Sequence, residues 1–126
     1  MLVVEDDPDL LEVIDATLRS RGFDVWPVAN DLSAYQVLEQ EGGSISVLIA
    51  DVDIGPDTSG FDVAERARSL NPGIGVIYFT GRPLDSTKLT VADGVVCMKP
   101  FDLNRLADLV GALVAGERPG PSPLFG

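Results

Sequence analysis

Short apolar runs alternate along the chain with stretches in which apolar residues recur at helical spacing. The apolar runs predict five strands, at Leu2–Val4, Phe23–Val28, Ile45–Ala50, Ile74–Phe79 and Gly94–Met98. The periodic stretches predict five helices, at Pro8–Arg21, from Asn30 or Asp31 to the residue before Gly42, and at Phe61–Leu70, Leu84–Ala92 and Leu103–Ala115. Strands that alternate with helices indicate an α/β fold whose parallel sheet is covered on both faces.

The expected architecture is a three-layer, doubly wound (βα)5 domain with a five-stranded parallel sheet. The strand order is 2-1-3-4-5 if the first and third strands are neighbours. Pro27 favours an edge position for the second strand, because proline has no N–H to donate to a neighbour. Residues 1–115 form this domain. Residues 116–126 are rich in proline and glycine, which predicts a tail or linker.

The composition limits the function classes that are open to the chain. A net charge of −11 over 126 residues opposes direct binding to nucleic acid or to anionic membranes. The absence of histidine excludes histidine-ligated zinc, Ser-His-Asp triads and histidine phosphodonors. Cys97 is the one cysteine, so no internal disulfide can form. The sequence shows neither a spanning apolar run nor a signal peptide, and a cytoplasmic location is therefore expected.

Charged and hydroxyl side chains follow four of the predicted strands. Ligands of doubly wound sheets bind where the carboxyl ends of the strands meet. The residues at those ends are Glu5, Asp6, Asp51, Asp53, Thr80 and Lys99. If the first and third strands are neighbours, Glu5, Asp6 and Asp51 converge, and three ionised carboxylates require a cation between them. Mg²⁺ is such a cation, while a hydroxyl and an ammonium suit phosphoryl oxygens. The set therefore indicates Mg²⁺ and a phosphoryl group on Asp51.

Each of these residues, taken alone, also has an ordinary structural interpretation. Acids that follow a strand often cap the next helix or stand in its first turn, where they interact favourably with the helix dipole, and we assign Asp7 and Asp9 to the start of the first helix. Thr80 alone suits a hydrogen bond at a strand end, and Lys99 alone suits a solvated charge. The functional interpretation depends on the combination, because four separate strand ends carry residues suited to a metal and a phosphoryl group, and they occur in the expected order along the chain.

Four motifs, LVVEDDPDL, LIADVDIG, VIYFTG and VCMKPF, together resemble the receiver domain of bacterial two-component response regulators. The resemblance extends from residue 2 to about residue 115, which is nearly all of the predicted domain. It implies a flavodoxin-like fold and a place in a phosphorelay, with a histidine kinase or phosphotransfer protein as the phosphoryl donor. It also implies that the domain catalyses only its own phosphorylation and dephosphorylation.

The resemblance assigns roles in phosphoryl transfer to three residues. Asp51 matches the phosphoacceptor, which becomes an aspartyl phosphate. Thr80 matches the switch hydroxyl that moves toward the phosphoryl group, and Lys99 matches the lysine that pairs with a phosphoryl oxygen. The bond between Lys99 and Pro100 matches one that is typically cis in this family.

The resemblance also assigns the ligands of Mg²⁺. Asp6 and Asp51 match direct ligands, and Glu5 matches an acid that acts largely through water. Asp53 matches the position whose backbone carbonyl binds the metal. The metal would neutralise charge that develops on the transferring phosphoryl group.

The sequence departs from the family pattern in three places. Val96 stands where the family often has an aromatic residue, so the usual coupling of that residue to the switch hydroxyl is not expected unchanged. Pro56 and Gly60 come one residue later than in the commonest loop pattern, and the fourth predicted helix is short and polar. In the same region, Arg82 is expected to pair with Asp53 or with the phosphoryl group and to modulate hydrolysis.

Two other functions are compatible with parts of the pattern. Asp51 and Asp53 also resemble the Asp-x-Asp signature of haloacid-dehalogenase-type phosphatases, although that signature usually follows the first core strand. A receiver-like binding module that works without phosphorylation is the other alternative. For a receiver, the expected downstream partner is a separate protein or a fused output domain. The domain itself is expected to be a monomer or a weak dimer.

Overall fold

A computed structural model describes residues 1–53, 59–81, 94–99 and 102–115, together with the backbone of residues 124 and 125. Six parallel strands form one sheet in the order β2-β1-β3-β4-β5-β6. Their bounds are β1 Leu2–Val4, β2 Trp26–Val28, β3 Val47–Asp51, β4 Gly75–Thr80, β5 Val95–Met98 and β6 Leu124–Phe125.

The predicted strand order 2-1-3-4-5 is confirmed, and β2 lies at the edge that Pro27 favours. The sheet differs from the prediction by its sixth strand. Leu124–Phe125, within the predicted tail, pairs with β5. Two residues are too few to show an alternating pattern, so sequence periodicity could not reveal this strand.

Four helices lie within the described residues: α1 Pro8–Ser20, α2 Asp31–Glu41, α3 Gly60–Leu70 and α4 Leu103–Val114. Their bounds agree with the predictions to within one residue. None of these helices is long and apolar enough to cross a membrane. The helix predicted at Leu84–Ala92 lies outside the described residues, as do Pro56, Arg82 and Pro100.

Helices cover both faces of the sheet, as the predicted three layers require. All five residues of β3 are buried, and their side chains alternate between the two faces. Leu48 and Ala50 pack with residues of α2 and α3, whereas Val47 and Ile49 pack with residues of α1 and α4. Full burial of a side chain such as Leu48 stabilises the fold by roughly 1.5–3 kcal/mol. This core holds the carboxyl ends of the strands at one edge of the sheet.

The side chain of Asp7 caps α1, as the sequence predicted. Its Oδ1 accepts hydrogen bonds from the backbone N–H groups of Asp9 at 3.0 Å and Leu10 at 3.3 Å. Pro8 follows as the first helical residue, where its missing N–H carries no cost. Asp7 therefore belongs to the helix start and leaves Glu5 and Asp6 as the acids at the end of β1.

We expect Asp7→Ala to lower the free energy of unfolding by about 1 kcal/mol, because two N–H groups lose their acceptor. Urea denaturation followed by circular dichroism measures the change. Asp9→Ala is the matched control, since it removes a first-turn acid without removing the cap and should cost only a few tenths of a kcal/mol. Equal losses in the two variants would show that helix charge, and not the cap, accounts for the effect.

Candidate functional site

Three carboxylates meet at the carboxyl edge of the sheet. Glu5 and Asp6 follow β1 directly, and Asp51 is the last residue of β3. Because β1 and β3 are paired, with Val4 opposite Ala50, the residues that follow them are neighbours. Glu5, Asp6 and Asp51 each place one carboxylate oxygen within 4.8 Å of the others. The convergence that the sequence predicted for these acids is therefore present.

Lys99 reaches this cluster from the end of β5. Its Nζ donates to Oδ2 of Asp51 at 2.8 Å and to Oε2 of Glu5 at 3.3 Å. The stem crosses β4, where Nζ lies 5.1 Å from the ring centroid of Phe79. Burial by itself lowers the pKa of Lys99, but the hydrogen bond and charge of Asp51, aided by Glu5, raise it above its ordinary value. The Lys99 side chain therefore stays protonated and is held at Asp51 and Glu5.

Glu5 is the most enclosed acid of the cluster, with none of its surface exposed. Its Oε1 accepts the backbone N–H of Asp7 at 3.0 Å, and its Oε2 accepts from Lys99. Burial raises the pKa of Glu5 to about 7, and proximity to Asp51 adds to this rise, while the Asp7 N–H and the Lys99 charge oppose it. Without a cation, Glu5 therefore retains a proton well above its ordinary pKa.

The metal-free protein is expected to lose stability as the pH rises from 4.5, the ordinary pKa of Glu5, to about 7, its folded value. Over this interval the folded protein holds a proton that the unfolded chain has released, so the slope of stability against pH is negative. The loss from Glu5 is on the order of 3 kcal/mol.

Urea denaturation in EDTA at acidic and at slightly alkaline pH tests this expectation. Glu5→Gln is the matched control, because its amide cannot ionise but keeps the shape of the protonated acid. The variant should show a smaller fall in stability than the wild type, since the other carboxylates titrate in both proteins. An equal fall in the two proteins would contradict the assignment to Glu5.

Backbone contacts hold Asp51 in place from the loop that follows it. The Asp53 N–H donates to Oδ1 of Asp51 at 2.9 Å, so the two oxygens of Asp51 face different donors. Gly60 opens α3 directly against β3, and a Cβ built there would lie 2.4 Å from the backbone oxygen of Asp51. Only glycine permits this approach. In the sequence, Gly60 stands out only as a loop residue that departs from the family spacing, although its position at a helix start is a signal for a packing role.

Thr80 is fully buried at the end of β4. Its backbone oxygen accepts the N–H of Lys99 at 2.7 Å, which ties the ends of β4 and β5 together. Thr80 thus lies at the edge that carries the acids. Its predicted role toward a phosphoryl group, like the metal-binding role of the Asp53 carbonyl, stays a prediction.

Val96 is buried in β5 and lies opposite Tyr78 of β4. The ring of Tyr78 contacts that of Phe61, with 4.7 Å between centroids, and its hydroxyl accepts from Nη2 of Arg68 at 3.5 Å. A Cβ at Gly94 would lie 3.1 Å from Cε2 of Tyr78. Among the described residues, Tyr78 of β4 therefore places an aromatic ring on the face of the sheet next to Val96, the valine that departs from the family pattern.

The chemistry of the cluster suits a hard divalent cation. Three carboxylates can carry three negative charges, and the contacting ammonium of Lys99 balances one of them. Carboxylate oxygens are the ligands that Mg²⁺ prefers. The described residues thus fit the magnesium site that the sequence predicted, with Glu5, Asp6 and Asp51 as its acids.

Comparison with known proteins places the chain in a family. The sequence model of the response regulator receiver domain matches residues 1–111. The probable transcriptional regulatory protein TcrX of Mycobacterium tuberculosis is 31% identical over 117 residues, which are 90% of this chain and 49% of that protein. The response regulator receiver protein CpdR of Brucella abortus is 30% identical over 111 residues, which are 86% of this chain and 90% of that protein.

Solved structures agree with this match. A response regulator receiver protein from Sinorhizobium medicae superposes with a TM-score of 0.82 at 26% identity, covering 93% of this chain and 94% of that one. The chain spans about half the length of TcrX but nearly all of CpdR. The site geometry, the fold and these similarities agree, and the chain belongs to the response regulator receiver domain family of two-component signalling systems.

Proposed function

We propose that this receiver domain accepts a phosphoryl group on Asp51 in a reaction that requires Mg²⁺. The observation that carries the proposal is the contact of Lys99 Nζ with Oδ2 of Asp51, at 2.8 Å, inside a cluster of acids. A lysine that only neutralised charge could equally be solvated at the surface. Its position at Asp51 supports a role toward a group that is carried by this carboxylate.

Mg²⁺ would be held by the carboxylates of Glu5, Asp6 and Asp51 and by the backbone carbonyl of Asp53. When bound, the metal would supply positive charge that stabilises the transferring phosphoryl group. The carboxylates have the hard oxygen donors that this ion requires, and they lie close enough together to share it. Burial of Glu5 supports its assignment to a supporting position, whereas the exposed Asp6 suits direct contact.

In the proposed transfer, a carboxylate oxygen of Asp51 attacks the phosphorus atom of a phosphohistidine on the donor protein. The phosphorus–nitrogen bond breaks, and its electron pair stays on the imidazole nitrogen, which leaves. The Lys99 ammonium then pairs with a phosphoryl oxygen, and the Thr80 hydroxyl donates to another. Thr80 is the last residue of β4 and Lys99 directly follows β5, so both lie at the end of the sheet that carries Asp51.

The wider role follows from the family and from the charge of the chain. Receiver domains act with histidine kinases and output domains. Here the donor is a histidine kinase or a phosphotransfer protein, and the output is a protein partner or a fused domain. The charge of −11 opposes direct contact with nucleic acid. We further propose a cytoplasmic domain, a monomer or weak dimer, whose only catalysis is on its own Asp51.

Intact-mass measurement after incubation with acetyl phosphate tests the proposal. With Mg²⁺ present, the protein should gain about 80 Da, the mass of one phosphoryl group bound as an aspartyl phosphate. With EDTA, the gain should disappear, because the acids then repel the incoming phosphoryl oxygens. An undiminished gain in EDTA would contradict the metal requirement. No gain, together with no binding of beryllofluoride, would instead favour a binding module that works without phosphorylation.

A further inference from the structure

The ring of Phe79 lies beneath the ammonium of Lys99. Phe79 belongs to β4, which separates β3, the strand of Asp51, from β5, the strand that Lys99 follows. In the sheet register, Phe79 stands opposite Asp51 on one side and opposite Cys97 on the other. Lys99 comes two residues after Cys97, and its ammonium lies over the ring of Phe79. The stem of Lys99 therefore passes over Phe79 on its way to Asp51.

The spacing of the strands explains why the stem has to cross β4. Adjacent strands lie about 4.8 Å apart, so β3 and β5 are separated by roughly 10 Å. The Nζ of Lys99 nevertheless lies 2.8 Å from Oδ2 of Asp51 and 3.3 Å from Oε2 of Glu5. On this path it lies 5.1 Å from the ring centroid of Phe79. This distance is within the roughly 6 Å at which the face of an aromatic ring attracts a cation.

The surroundings of the ring strengthen this attraction. Phe79 has none of its surface exposed, and the Lys99 side chain has 26% exposed. Because the ring is enclosed, the attraction between its face and the cation is stronger than at a solvated site. The ring also has no hydrogen-bond acceptor. It can therefore hold the ammonium without taking N–H donors away from carboxylate or phosphoryl oxygens.

The backbone of Phe79 contacts the segment that carries Asp51. Its carbonyl oxygen accepts the N–H of Val52 at 3.0 Å, which extends the pairing of β3 with β4 by one residue beyond Asp51. A substitution of the Phe79 side chain leaves this backbone hydrogen bond in place. The ring can therefore be removed while the residue that follows Asp51 keeps its backbone partner.

We propose that Phe79 is a positioning residue for phosphorylation, whose ring holds the Lys99 ammonium at Asp51. The inference rests on the proposed function of Asp51. Lysine has a flexible four-carbon stem, and ordering that stem costs conformational entropy. The ring restricts the stem before the phosphoryl group arrives, so less entropy is lost when the ammonium pairs with a phosphoryl oxygen. An aliphatic residue at position 79 would fill the core but would not attract the cation.

A double-mutant cycle of Phe79→Met and Lys99→Met tests the proposal. Methionine is apolar and adaptable, so it keeps the core filled, but it has no ring face. With saturating Mg²⁺, Phe79→Met should slow phosphorylation by acetyl phosphate roughly fivefold. In the Lys99→Met protein the same substitution should have no further effect, because the ammonium is already absent. An equal loss of rate in both backgrounds would show a merely structural role and overturn the proposal, as would an unchanged rate of Phe79→Met.

Ile77→Val is the matched control for the loss of core packing. Ile77 is fully buried on the same strand and belongs to the same core cluster as Phe79. The substitution removes a buried methylene-sized volume and lowers stability slightly, but it leaves the ring in place. Its phosphorylation rate should stay near that of the wild type. A fivefold loss in Ile77→Val as well would assign the effect to packing of the core and overturn the proposal.

Lysine resonances in NMR spectra test the contact without any phosphoryl chemistry. The chain contains two lysines, Lys88 and Lys99, so Lys99→Met assigns both signals in protein made with isotopically labelled lysine. Protons that lie over a ring face are shifted upfield by the ring current. The Hε signals of Lys99 should therefore move downfield in Phe79→Met and stay in place in Ile77→Val. Unchanged Lys99 signals in Phe79→Met would overturn the proposal.

The two readouts separate this inference from the proposed function. A wild-type protein that gained no phosphoryl group would refute the proposed function, and the positioning role with it, although the Lys99 signals would still report the contact with Phe79. A wild-type protein that is phosphorylated normally, with a rate that does not depend on the ring, would overturn the positioning role alone.

Discussion

Asp51→Asn is expected to remove the phosphoryl adduct completely, whereas Asp53→Asn is expected to retain it. An amide is not a nucleophile, so the first substitution removes the attacking oxygen. The amide can still accept the Asp53 N–H that now reaches Oδ1 at 2.9 Å, and the loop should keep its path. The second substitution leaves in place the backbone carbonyl, which is the group of Asp53 that we assign to the metal.

Intact mass after acetyl phosphate treatment with Mg²⁺ measures both variants against the wild type. The pair also discriminates between receivers and haloacid-dehalogenase-type phosphatases, because those enzymes use the second Asp as a general acid. Retention of the adduct in Asp51→Asn would place the phosphoryl group elsewhere. Failure of Asp53→Asn to accept a phosphoryl group, with an unchanged fold, would show that its side chain and not its carbonyl is required.

Lys99→Met is expected to slow phosphorylation by roughly 100-fold or more, because the ammonium that stabilises phosphoryl oxygens is lost. It is also expected to lower the stability of the metal-free protein by about 2 kcal/mol, since Glu5 and Asp51 would lose the cation they share. Without the positive charge of Lys99, the protonated form of the buried Glu5 is favoured further, and its pKa should rise. Stopped-flow or quenched mass measurements give the rate, and urea denaturation in EDTA gives the stability.

Arg105→Met is the matched control for Lys99→Met, because it removes a positive charge from an exposed position on α4. It should leave the phosphorylation rate near that of the wild type. Mg²⁺ should recover part of the stability of Lys99→Met, since the metal replaces the lost charge. Phosphorylation of the variant should stay slow at saturating Mg²⁺, because the metal does not replace the hydrogen bond. A Lys99→Met protein that was phosphorylated at the wild-type rate would remove Lys99 from the mechanism.

The fold was largely predictable because its elements differ in hydrophobic period. The fully buried β3 appears as a continuous apolar run, and amphipathic helices such as α1 repeat at helical spacing. The strand bounds were less accurate than the helix bounds. Ile45 was predicted to begin the third strand, but it follows the 3₁₀ turn Gly42–Ser44 and lies outside the sheet. A buried position favours an apolar residue whether or not its backbone pairs with a neighbouring strand.

The acids of the site were predictable because each one lies at the carboxyl end of a strand. The contacts among them were not, since a side chain such as Lys99 crosses a whole strand to reach Asp51. The contact between the ring of Phe79 and the Lys99 side chain was equally unpredictable from the sequence. Burial of Glu5, which moves its pKa to about 7, also depends on packing by residues that are distant in sequence.

The sequence by itself determined the α/β class, the helix that Asp7 caps and the set of acids at the strand ends, because these depend on local spacing and composition. Only the tertiary structure decided that Lys99 joins Asp51 and Glu5, that Gly60 contacts the backbone of Asp51 and that Leu124–Phe125 closes the sheet beside β5. Those contacts link segments that are far apart along the chain, and packing of the whole domain sets their distances.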